Sequence, residues 1–189
     1  LIKELEYDKF SEIVIDKNIT LTENITMTAN HILSIPEGLT LTLTGKIDTA
    51  KAALTLTGEG MVRVQGAQDS LMGRIYIGEE KKTNGIHILL EKDGGIVPNG
   101  ELKIRNGATV EVNSTVGITG NSGKMLVIEE GGHLRGTEGA GIEMASGLKV
   151  TDTSGVFSDQ GKAFTTKDQI VVGASSDTPA DNQLTAGSY

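Results

Sequence analysis

Cysteine and tryptophan are absent from this 189-residue chain, and proline occurs only three times. Without cysteine there is no disulfide framework, no thiolate nucleophile and no zinc-finger spacing. Three Tyr and three Phe are the whole aromatic complement, so large core side chains and sugar-stacking platforms are both scarce. Positive charge is short as well: 17 Lys+Arg stand against 25 Asp+Glu, for a net charge of −8, with no cluster of three or more basic residues. That balance predicts no nucleic-acid partner, because phosphate binding needs a basic stripe. No apolar run approaches the roughly 18 residues that cross a bilayer, so membrane insertion is not expected. The charged opening after Leu1 does not read as a signal peptide. The chain is expected to be a mature or excised piece with other domains of a larger protein beside it.

What is abundant is glycine, 25 residues, together with short runs in which apolar and polar residues alternate. Leu39–Thr44 and Leu54–Thr57 alternate strictly between Leu and Thr, and similar runs fall at 13–15, 19–22, 25–28, 61–64, 74–77, 86–90, 102–104, 110–112, 125–128 and 169–172. A period of two is the pattern of a half-buried strand. Gly, Asn, Asp or Pro closes each run.

The runs recur as one template: apolar, any, apolar, two residues, Gly or Asn, two residues, apolar. It reads Ile13, Ile15, Asn18, Leu21, then Leu33, Ile35, Gly38, Leu41, then Leu102, Ile104, Gly107, Val110, then Leu126, Ile128, Gly131, Leu134. A copy with one extra residue runs Leu54, Leu56, Gly60, Val62, and weaker echoes begin at Ile75, Val150 and Ile170. Successive starts lie 20 to 27 residues apart. A fixed template at that period is the mark of a solenoid, in which no single turn can bury its inner face and stacking buries them all. Further columns appear at Ile118, Ile142 and Thr166 and at Gly107, Gly131 and Gly155. The turns are too variable for a hexapeptide prism, which favours a right-handed helix with loops at its corners.

The expected fold is therefore all-β: a single-stranded right-handed parallel β-helix of about seven to eight turns over residues 13–173. Residues 1–12, with Ile2, Leu5, Tyr7 and Phe10 among Lys and Glu, are expected to form a short capping helix that covers the apolar first turn. A disordered leader is the competing reading. Residues 174–189, rich in Ser, Asp, Ala and Thr, read as a C-terminal loop, cap or linker.

The run Ile19 to Thr28, followed by Leu33-Ser-Ile-Pro-Glu-Gly-Leu-Thr-Leu41, resembles the openings of pectate-lyase-like β-helix domains of bacterial surface and secreted proteins. The likeness is one of pattern across residues 1–173, not of catalytic motif. It implies a secreted or cell-surface bacterial location and two families of role, polysaccharide lyases or hydrolases on one side and stalks or adhesive faces on the other.

Candidate chemistry is sparse. Glu79-Glu80 and Glu129-Glu130 are consecutive, so their side chains diverge in extended chain, whereas paired-carboxylate hydrolysis needs two groups facing one bond. Asp93 precedes Gly94-Gly95 and reads as a turn former, and Asp152 stands where the template expects an apolar residue. His31, His87 and His133 have no triad context. No calcium-loop spacing occurs, and neither cofactor nor metal nor catalytic residue is assigned. Thr20 and Thr22 are expected to stack under Thr40 and Thr42, but charged Arg63, Glu111 and Arg135 interrupt the Thr face, which disfavours ice binding. The sequons at Asn18, Asn24 and Asn113 read as corner asparagines followed by outward Thr or Ser. The longest repeat holds the one dense charge run, and Glu79, Glu80, Lys81, Lys82 and Asn84 form the candidate partner-binding loop. The expected function is a non-enzymatic structural spacer or adhesive, glycan-binding module with a polysaccharide or a host or cell-surface protein as partner; the alternative is a polysaccharide lyase or glycoside hydrolase.

Overall fold

A computed structural model describes residues 1–114, 116–120, 126–129 and 132–136, and beyond them the short strands 142–144, 148–150, 156–158, 165–166, 170–172, 183–184 and 187–188. The chain is an all-β parallel solenoid with almost no helix, and about five turns fall within residues 1–120. Each turn contributes three strand segments. The first turn has β1 (Ser11–Val14), β2 (Ile19–Leu21) and β3 (Asn24–Thr26); the second has β4 (His31–Ile35), β5 (Thr40–Leu43) and the start of β6 (Lys46–Gly58). From there the long strands β6, β8 (Leu71–Ile77) and β10 (Ile96–Ile104) each run from one turn into the next, with β7 (Met61–Val64), β9 (His87–Leu90) and β11 (Thr109–Val112) between them and β12 (Ile118–Gly120) after. Because those three strands bend around a corner, two of the ladders merge into one 14-stranded sheet, and the middle ladder forms a separate 7-stranded sheet.

Every pairing between turns is parallel and side by side, so like residues pile up. In the first ladder Ile13, Leu33, Leu56, Ile77, Ile104 and Ile128 form one inward row, and His31, Leu54, Ile75, Leu102 and Leu126 form another. The second ladder stacks Ile19, Leu41, Val62, Ile88, Val110 and Leu134, and the third stacks Ile25, Ile47, Leu71, Ile96 and Ile118. All are buried except Ile19, and the buried apolar ones form one continuous core against which Ile19 packs. At about 25 cal/mol per Å² of apolar surface removed from water, such columns dominate the folding energy. The register continues past residue 120, where Leu126, Leu148 and Ile170 pair in parallel. The two final short strands, Gln183–Leu184 and Gly187–Ser188, pair antiparallel instead.

The structure corrects the template in its register. Leu33 sits over Leu56 and Ile104, not over Leu102, and Leu21 matches Leu43, not Leu41. Between registered rows, the stretch from Leu33 to Leu41 is two residues longer than that from Ile104 to Val110, so aligning on the corner glycine displaces the strand before it. Both Gly38 and Gly107 do adopt φ +77°, and a side chain on Gly107 would meet the Asn84 carbonyl. Asn18 is not such a corner. Its side-chain oxygen accepts the Thr40 N–H at 2.8 Å, capping the backbone of the turn above. Of the column spaced by 24, Ile118 pairs with Ile142, but Thr166 lies opposite Met144.

The N-terminal segment also differs from expectation. Its helix α1 is limited to Ile2–Leu5, with Leu5 fully buried, while Tyr7 and Phe10 are exposed. His31 explains where the chain goes next. Its Nε2 donates to the Tyr7 carbonyl at 3.2 Å and its Nδ1 lies 2.8 Å from Ser11 Oγ, which holds the segment onto the second turn.

Candidate interaction face

The outward side of the second ladder presents a polar, ion-paired face, because every second residue of β5, β7, β9 and β11 points away from the core. Parallel stacking sorts these residues into three columns. The first is Asn18, Thr40, Met61, His87, Thr109 and His133; the second is Thr20, Thr42, Arg63, Leu89, Glu111 and Arg135. The third, at the next corner, holds Thr44, Gln65, Glu91 and Asn113, each bonded through its N–H to the turn before. Thr20 therefore lies beneath Thr42, not Thr40, and the Thr column ends at Arg63.

Diagonal ion pairs knit the columns together. Arg63 grips Glu91 with Nε at 2.7 Å and Nη2 at 3.0 Å, and Gln65 Nε2 donates to the same carboxylate. The hydrogen bond from Arg63 holds the Glu91 carboxyl below the usual carboxylate range. Lys92 reaches Gln65 Oε1 at 3.0 Å. One turn further, His87 Nε2 is buried 3.2 Å from Glu111 Oε2, without the alignment of a hydrogen bond.

At the leading corner of this face lies an open groove of about 410 Å³. Gly38, Gly60 and Gly85, from three successive turns, line it together with Leu39, Thr40, Glu59, Met61 and His87. A side chain at Gly38 would meet open space, whereas one at Gly60 would collide with the Pro36 and Leu39 carbonyls, so glycine there lets successive turns pack closely beneath the groove.

The candidate loop 79–84 adjoins this corner, but its residues divide. Asn84 is buried: its side chain accepts the Glu79 N–H at 2.8 Å and donates to the carbonyls of Lys82 and Asn106 at 3.0 Å each. It is the plug on which the loop folds. Glu79 is half-buried, bonded to Lys82 Nζ at 2.5 Å and to Thr57 Oγ1 at 3.2 Å, and the Lys82 contact lowers its carboxyl from the usual range. Glu80, Lys81 and Lys82 are exposed, with Lys81 at φ +62°. Sequence spacing marked the loop but not Asn84's structural task.

The other residues singled out by sequence lie apart. His31 is the pin described above, and His133 starts the strand that pairs with β11. Asp93 sits in a turn closed by the Gly94 N–H on the Glu91 carbonyl at 3.0 Å. Glu129 lies 3.7 Å from Arg105 Nε, and the Arg105 guanidinium stacks 4.6 Å from the centre of the Tyr76 ring. Asn113 donates to Glu111 at 3.4 Å, and Asn24 is exposed on β3. Glu130 and Asp152 lie outside the described residues. Among the described residues, no group of three His, Asp or Glu side chains is placed to hold a metal, and no helix is long and apolar enough to cross a membrane.

Fold and face together define the class: a parallel β-solenoid with a polar, ion-paired lateral sheet. No family model matches the chain, and neither a curated protein nor a solved structure does so.

Proposed function

We propose that this chain is a non-enzymatic, extracellular or cell-surface β-helix domain that serves as a rigid spacer and presents an adhesive, glycan-binding lateral face. In this reading the solenoid is right-handed and pectate-lyase-like, runs to seven or eight turns, and belongs to a larger bacterial surface protein. The N-terminal segment around buried Leu5 acts as its cap, residues 174–189 close or link the far end, and Glu80, Lys81 and Lys82 flank the binding face.

The observation that carries the reading is how the carboxylates are held. Glu91, Glu79 and Asp69 are each bonded to a cation, Arg63, Lys82 and Lys46 respectively, and that bond is the first cause lowering each carboxyl. A glycosidic general acid needs the reverse, a carboxyl raised until it keeps its proton near neutrality. Carboxylates locked as anions serve as fixed charges that rigidify a surface. Incubation with pectic and other acidic glycans, with and without calcium, should release no new reducing ends and no unsaturated products. Their appearance would overturn the proposal in favour of a lyase or hydrolase.

A further inference from the structure

We infer that the groove at the leading corner of the second ladder is a subsite for a neutral glycan about two sugar rings long. The inference rests on the adhesive reading above and adds where the ligand lies and what charge it carries.

Three features of the groove select this ligand. Its volume, about 410 Å³, lies within the range of small-ligand sites, and three successive turns line it, so it runs along the solenoid axis. Its backbone is already committed: the N–H groups of Met61, His87 and Thr109 bond to the Leu39, Gly60 and Ile86 carbonyls at 3.0–3.1 Å. A peptide seeking to add a strand finds no free edge there. Recognition must come from side chains, and those present are the Thr40 hydroxyl, the Glu59 carboxylate and the His87 imidazole beside the apolar Leu39 and Met61. Hydroxyl and carboxylate match sugar hydroxyls that both donate and accept, the His87 ring, its Nε2 buried against Glu111, adds a wall, and the apolar pair matches the C–H face of a pyranose.

Charge decides between neutral and acidic sugars. Glu59 is exposed with no cation bonded to it among the described residues, Glu111 stands next to His87, and Arg63, on the same strand as Met61, is occupied by Glu91. A uronate in the groove would face carboxylates in a chain of net charge −8.

The test is an NMR titration of the intact chain with cellotetraose, mannotetraose, galactotetraose and tetragalacturonate, repeated with the surface variant Thr40→Ala/Glu59→Ala, its fold checked by circular dichroism. At least one neutral tetrasaccharide should give saturable shifts at Thr40, Met61 and His87, the variant should bind it about tenfold more weakly, and tetragalacturonate should bind less. Binding confined to tetragalacturonate, or neutral binding the variant does not weaken, overturns the groove assignment while leaving an adhesive role intact. If no tetrasaccharide shifts the groove and it responds instead to a protein ligand, the neutral-glycan inference fails. Cleavage of any of the four would sink the non-enzymatic reading itself.

Discussion

Ala50 is one of three non-glycine residues with positive φ among the described residues, at +50°, in the bend of β6 where the register slips between Asp48 and Ala53. The Asp48 side chain accepts its N–H at 2.8 Å, which fixes the bend and leaves the methyl group in a strained, exposed position. Ala50→Gly removes that strain and should raise stability by about 0.5 kcal/mol, the left-handed penalty of roughly 1–2 kcal/mol being partly offset by the freer unfolded chain. Urea denaturation reads the change directly. His31 is the opposite case, a buried imidazole at the end of an otherwise apolar row. A carbonyl only accepts, so Nε2 carries the hydrogen bonded to Tyr7, and Ser11 supplies the other partner. His31→Ala should cost about 2 kcal/mol and selectively speed hydrogen exchange in residues 1–10. Uniform loss of protection across all turns would show that the imidazole does no local pinning. Neither residue's task was readable in the sequence. Alternation marks which positions face inward, but a histidine held by a hydroxyl 20 residues away, or an alanine forced to φ > 0, depends on how turns of unequal length fit over one another.

At the scale of the strand, the Leu–Thr alternation of 39–44 and 54–57 was fully legible, since a side-chain period of two has one structural meaning when every turn repeats it. Register was not. The extra corner residues around Pro36-Glu37 displaced the alignment by two, which keeps apolar residues inward and so leaves no trace in the hydrophobic pattern. Leu54, fully buried between His31 and Ile75, should cost about 2–5 kcal/mol as Leu54→Ala, measured by thermal unfolding. The ion pairs of the lateral sheet depend on that register too, because Arg63 and Glu91 come from consecutive turns. Glu91 is held below its unfolded range, so its stabilising effect is complete above the ordinary glutamate range and lost as pH falls below it. Glu91→Gln should therefore lower the melting temperature at neutral pH, and the gap to the parent should close in acid. A gap that persists unchanged in acid would mean that packing, not charge, sets it. The pair itself is half-exposed and worth about 1 kcal/mol at most.

Across the whole molecule, the account depends on consecutive turns lying in register around one axis, since the core rows, the ion-paired face and the groove all arise from that stacking. The period of 20 to 27 residues disclosed it, because only stacked turns give a repeated template a single buried face. The groove stayed hidden: Gly38, Gly60 and Gly85 look like ordinary corner glycines until three turns align them. The absence of cysteine makes a direct measurement simple. Spin labels at Thr20→Cys and Glu111→Cys occupy one outward column four turns apart, and at about 4.8 Å per strand spacing their separation in a double electron–electron resonance experiment should be one narrow population near 19 Å, broadened by the label arms. A broad distribution, or a single distance beyond about 30 Å, would contradict the stacked solenoid and everything built on its lateral face.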